Sequence, residues 1–178
     1  MLTFLYLLIC FMLPNIAWQL LNRKRLMRRK NPIRHIVWTY IFWVYCALTI
    51  HVTGIGTIWD IISYKGIAGG FNLIPFSSVG SMLATLWENP RLDVLWVVIY
   101  NLGGNIVMFL PLGFLLPELW QRCQQFWRCI GAVALIMTCV ELVQLFTLRG
   151  FCETDDVMLN VLGGAIGFGI WHLTGEKA

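Results

Sequence analysis

Glu141 sits inside a mostly apolar run, Phe126 to Phe146. An ionisable side chain within a span costs about 2.5–3.5 kcal/mol by insertion scales, so it faces a partner or a water-filled cavity. Two chemistries suit such a carboxylate: a general acid or base, or a group that binds a ligand. Two structural roles suit it equally well, an ion pair with Arg149 or a hydrogen bond that locks neighbouring helices. Gln144 lies three residues on and shares its helix face. A buried amide is most often a hydrogen-bonding link between spans.

Other polar residues fall at comparable depth. Asn101 and Asn105 share a face of a second apolar run. Asn160 follows Asp156 by one helical turn, and Arg149, Glu153, Asp155 and Asp156 crowd into a short stretch. His51, and Asn72 with Pro75, lie toward the same end. Thr154 is a good N-cap, and acids in the first turn after it are favoured by the helix's partial positive charge. Arg149 and Glu153 make the cluster denser than one cap needs. Two or three carboxylates can hold Mg²⁺ or Ca²⁺, but no spacing matches a defined loop for either, and neither a metal nor a cofactor is assigned. The candidate site is therefore Glu141, Arg149 and Asp156 for chemistry, with Asn72, Asn105, Gln144, Glu153 and Asn160 for binding.

The elements that must position these residues are membrane helices. A span needs roughly 20 mostly apolar residues to cross about 30 Å of hydrocarbon. Met1 to Leu21, His35 to about Ile58, Leu92 to Leu116 and Phe126 to Phe146 meet that length, and a shorter, glycine-rich stretch runs from about Val157 to Leu173. The expected fold is all-α: a polytopic bundle of five transmembrane helices. Residues 66–87 are uncharged but rich in glycine, serine and threonine. They read as a re-entrant or interfacial segment, because irregular backbone at membrane depth survives only where protein or water satisfies it. Pro111 should kink the third span and free a carbonyl. Gly163, Gly164 and Gly167 give the fifth span a smooth face for close packing.

Composition agrees. Of 178 residues, 58% are hydrophobic and only 12% charged, below the roughly 25% charge of soluble domains. The net charge of +4 does not indicate nucleic acid, since seven of the thirteen basic residues lie between Arg23 and Arg34. That block, free of acids, marks a cytoplasmic loop. It sets the start of the chain outside and its end inside, and gathers the polar residues in the outer leaflet. Attraction to anionic inner-leaflet lipids is a second role for it. The first span has no basic stretch before it and reads as a retained anchor. Residues 1–34 divide off as anchor and basic loop, and 35–178 as the main transmembrane domain. Tryptophans near span ends, among them Trp18, Trp59, Trp87, Trp120 and Trp127, form an interfacial belt. The six cysteines show no metal or disulfide spacing, and signatures of nucleotide binding, serine hydrolysis and zinc proteolysis are absent.

Four ordered pieces, Asn72-Leu-Ile-Pro-Phe76, Asn105-Ile-Val-Met-Phe-Leu-Pro-Leu-Gly113, Glu141-Leu-Val-Gln144 and Asp156-Val-Met-Leu-Asn-Val-Leu-Gly-Gly164, together resemble the VanZ family of bacterial membrane proteins over about residues 70–170. The resemblance implies a polytopic protein of the bacterial inner membrane and a link to low-level resistance to the glycopeptide teicoplanin. It assigns no reaction. By position it points to Asn72, Asn105, Glu141, Gln144, Arg149, Glu153, Asp156 and Asn160. Where many members carry aspartate, this chain has the longer Glu153.

Three functions compete. One is action on an envelope lipid or lipid-linked glycan, with Glu141 as acid or base and Arg149 on an anionic group. Another is binding or shielding without chemistry. The third, lipid transport, lacks the inverted repeats expected of it. The partners implied are membrane lipids and a lipid-linked envelope precursor. Five spans are few to enclose a large ligand, which leaves room for a homodimer.

Overall fold

Among the described residues, five helices are long and apolar enough to cross a membrane. They belong to a computed structural model that describes residues 2–29, 31–53, 71–146 and 152–174. In chain order these elements are α1 (Leu2–Leu21), a short α2 (Arg23–Leu26), α3 (Pro32–Val52), β1 (Phe71–Asn72), α4 (Ser77–Glu88) and α5 (Leu92–Leu119). A 3₁₀ turn (Gln121–Gln124), α6 (Phe126–Phe146), β2 (Cys152–Glu153) and α7 (Thr154–Leu173) complete them. The spans are α1, α3, α5, α6 and α7.

Boundaries differ from the apolar windows for local reasons. The second span begins at Pro32 rather than His35, because proline fits the first helical position, where its missing N–H is not needed. The fifth begins at Thr154, taking Asp155 and Asp156 into its first turn. The expected continuation of the second span to Ile58 lies outside the described residues. Pro111 does not end the third span, which stays helical to Leu119. Close to that proline, Tyr45 donates its hydroxyl hydrogen to the Met108 carbonyl at 3.0 Å. At 12 residues, α4 extends about 18 Å at 1.5 Å per residue, too short to span. The 66–87 stretch therefore carries a short helix preceded by a two-residue strand, and residues 66–70 are outside the described part.

The core runs along α5. Phe109, Leu112, Leu115, Leu116 and Leu119 pack with Cys129, Val133 and Met137 of α6 and Phe168 and Trp171 of α7. Contact between α5 and α7 is closest where both helices carry glycine. A Cβ on Gly113 would overlap the Gly164 carbonyl, one on Gly163 would overlap that of Ile106, and one on Gly167 that of Leu110. In lipid no hydrophobic force draws helices together, so this backbone approach and its dispersion contacts hold the pair. On the other side, α3 meets α5 through Trp38 and Phe114 and meets α1 through Phe11 and Trp43, each with ring centroids 5.2 Å apart. Leucines such as Leu13, Leu20, Leu92 and Leu135 face outward, as a lipid-facing surface requires.

A buried ion pair pins the end that carries the basic block. Arg34 of α3 donates from Nε to Glu118 Oε1 at 2.8 Å and from Nη2 to Oε2 at 3.1 Å, and Trp171 Nε1 of α7 donates to Oε2 at 3.2 Å. One carboxylate thus joins three spans. The sequence reading missed it, because Glu118 stands at a span end, where charges are ordinary.

Candidate functional site

At the opposite end, five elements line a cavity of about 300 Å³. Asn101 and Asn105 come from α5, Glu141 and Gln144 from α6, Glu153 and Asp156 from β2 and α7, and Ser78, Val79 and Met82 from α4. The i, i+4 spacing on α5 and i, i+3 spacing on α6 turn both pairs to one side. Asn105 Nδ2 donates to Asp156 Oδ1 at 2.7 Å, linking α5 to α7 across the cavity. Gln144 Nε2 donates to the Thr53 carbonyl at 3.0 Å, which ties α6 to the end of α3. The linking role expected of that amide is present, and its side chain also lines the cavity.

Glu141 is 4% exposed. Its carboxylate takes a hydrogen bond from the backbone N–H of Glu153, while Oε2 is buried without a hydrogen-bond partner among the described residues. Four acidic residues, Glu141, Glu153, Asp155 and Asp156, thus line one cavity. An acceptor left bare in such a place costs about 1–3 kcal/mol or more when charged, so a donor arriving from a ligand meets a group already stripped of water. Among the described residues no three His, Cys, Asp or Glu side chains gather closely enough to hold a metal ion.

The remaining candidates fall elsewhere. Asn72 does not line the cavity. It pairs in parallel register with Glu153 through the β1–β2 bridge and donates from Nδ2 to Ser78 Oγ at 3.0 Å. Asn160 is buried below Asp156, with its Oδ1 unpartnered among the described residues, and is not part of the lining. Arg149 lies outside the described residues. His51 is exposed and its ring packs against Phe4.

Asp155 takes a role its sequence position did not suggest. Rather than serving its own helix, it accepts from the backbone N–H groups of Phe76, Ser78 and Val79 at 2.5, 2.9 and 3.0 Å. It thereby caps α4 and holds Phe76 at φ 64°, a left-handed conformation that is an outlier for a bulky residue. The N-cap position of α7 is Glu153, not Thr154. Its backbone is extended and its side chain makes no capping bond, because the bridge to Asn72 already fixes it. Ser78, Val79 and Met82, which sequence reasoning did not single out, form the cover of the cavity. The uncharged character of 66–87 was the signal available for them.

The profile of the VanZ/LLP1 family matches residues 36–175. The chain belongs to the VanZ/LLP1 family. The match includes the second span, which lies beyond the reach of the motif resemblance at 70–170, and leaves out α1 and the basic block. All the cavity-lining residues fall within the VanZ/LLP1 region. No curated protein matches the chain, and no solved structure does.

Proposed function

We propose that this VanZ/LLP1 protein resides in the bacterial inner membrane and acts at its extracytoplasmic face on the polar head of a cell-envelope lipid or lipid-linked glycan. The basic block, charge-rich and free of acids, supports an orientation with that end in the cytoplasm and the acidic cavity outside. The observation that carries the reading is Glu141, a carboxylate in a polar cavity with one buried oxygen unpartnered among the described residues. Hydroxyl and amine donors are the groups such a cavity accepts, and sugar heads supply many of them. Glu141 serves as the acid or base there, Asp156 is oriented by Asn105, and Arg149 is assigned to the anionic group of the same ligand. Occupying or altering that precursor accounts for reduced susceptibility to teicoplanin.

The test is Glu141→Gln, expressed in a bacterial host and scored by teicoplanin susceptibility alongside membrane abundance and thermal melting of the purified protein. Glutamine keeps the size and an acceptor but cannot ionise. Loss of protection with unchanged abundance and melting is expected. Full protection by Glu141→Gln removes the carboxylate from the chemistry.

A further inference from the structure

The end of the bundle that carries the basic block has two adjoining cavities. The larger, about 900 Å³, is lined by Arg25, Arg29, Arg34 and Arg122, with Glu118 as its one carboxylate among the described residues. The Arg34 and Glu118 charges are spent on each other at 2.8 Å, so that among the described residues lining the cavity no further carboxylate offsets Arg25, Arg29 and Arg122. Arg29 Nη1 and His35 Nδ1 are 3.0 Å apart. Arginine only donates, so a hydrogen bond between them uses this ring nitrogen as the acceptor. The second cavity, about 480 Å³, lies between α1 and α3 and is walled by Pro14, Trp18, Phe42 and Trp43. Arg29, His35, Leu119 and Trp120 line both, so the basic space opens onto the apolar one.

A buried donor marks the apolar groove as well. Asn15 lines it and is 5% exposed. Its Oδ1 accepts from Gln19 Nε2 at 3.2 Å, and its Nδ2 is buried without a partner among the described residues. An orphaned N–H₂ inside a greasy groove, next to a cluster of guanidinium groups, fits a molecule that presents an anion, then a carbonyl, then hydrocarbon. We propose that this end binds an anionic glycerophospholipid: phosphate among Arg25, Arg29 and Arg122, an ester carbonyl on Asn15 Nδ2, and an acyl chain along Trp18, Phe42 and Trp43. Exposed Trp18 and Trp120 set the site at the depth where head groups lie. The site is independent of the acidic cavity.

The test is native mass spectrometry of the full-length protein released from nanodiscs of phosphatidylcholine with a minority of phosphatidylglycerol. One retained phosphatidylglycerol is expected, in preference to phosphatidylcholine. Arg29→Gln with Arg122→Gln removes two charge-assisted donors to the phosphate, which are stronger than general surface attraction, and lowers retention by about thirtyfold or more. Asn15→Leu lowers it with the arginines intact. The triple variant Arg23→Gln, Lys24→Gln, Arg28→Gln, which removes one charge more, all from the basic block, without touching the cavity lining, serves as control and lowers retention far less than the double variant does. An equal loss in that control would show general surface attraction and overturn the site. Equal retention of phosphatidylcholine would overturn it too. Displacement of the lipid by millimolar inorganic phosphate would reduce the site to an anion pocket and refute the lipid assignment.

Discussion

Replacing Arg34 by methionine should destabilise the bundle more than any change at its partner. Glu118 has a side-chain exposure of 2% against 28% for Arg34, so the two members of the pair are not equivalent. Three described donors serve the carboxylate, two from Arg34 and one from Trp171. Arg34→Met removes two of them together with the only formal charge that offsets the anion in this contact. An uncompensated buried charge of this kind costs about 3–5 kcal/mol. Glu118→Gln leaves a neutral amide that still accepts from Trp171, and an arginine that already reaches water, so its cost is about 1–2 kcal/mol. Adding Glu118→Gln to Arg34→Met removes the stranded charge. The double variant is therefore more stable than Arg34→Met alone by about 2 kcal/mol, although it carries one more substitution. Equilibrium unfolding by SDS titration in mixed micelles, run as a double-mutant cycle, measures this directly. An additive cycle, or an Arg34→Met protein within 1 kcal/mol of the parent, would refute the account of the buried pair.

Three other expectations concern orientation, packing and the cover of the cavity. Single cysteines placed at Ser78 and Thr154 in a cysteine-free background should react with an impermeant reagent from outside, and those at Arg28 and Arg122 only after permeabilisation; labelling of Thr154 from the cytoplasm alone would defeat the outward-facing assignment. Gly167→Ala forces a Cβ onto the Leu110 carbonyl and the Phe114 backbone nitrogen and should cost about 1–3 kcal/mol. Gly169→Ala, with nothing within 4 Å, should gain up to about 1 kcal/mol from helix propensity, and similar melting of the two variants would contradict the close α5–α7 contact. Asp155→Ala removes the acceptor for three backbone N–H groups and should speed hydrogen exchange in residues 76–79 while leaving α5 and α6 unchanged. Unaltered protection there would show that α4 is held by something else.

The span pattern was legible because lipid demands length and apolarity, and both are visible in a run of letters. Asn105 and Glu141 could be placed near one another for a similar reason, since helical spacing and depth put each on a definite side at a definite level. Contacts between distant segments were not legible. Glu118 and Arg34 are 84 residues apart, and each has an ordinary explanation alone, one as an interfacial charge and the other as a topology signal. Asp155 misled for a subtler reason. An acid in a first turn is favoured there by its own helix, and nothing in the local sequence announces that the orphan N–H groups of another helix lie closer. Asn72 joins the candidate site through its motif, Asn72-Leu-Ile-Pro-Phe76, and no local pattern announces that its side chain binds Ser78 or that its backbone pairs with Glu153.

Asp155 and Asp156 are consecutive residues of one helical turn, projecting about 100° apart. The first grips the start of α4, and the second points into the cavity that α4 covers. A ligand that pulls on Asp156 and turns α7 about its axis would swing Asp155 in the same stroke, and α4 would follow like a latch on a spindle. The glycine contacts between α5 and α7 leave that spindle little room to translate. Movement caused by occupancy would then emerge at the rim, as opening or closing of the entrance, while the middle of the bundle stays in place.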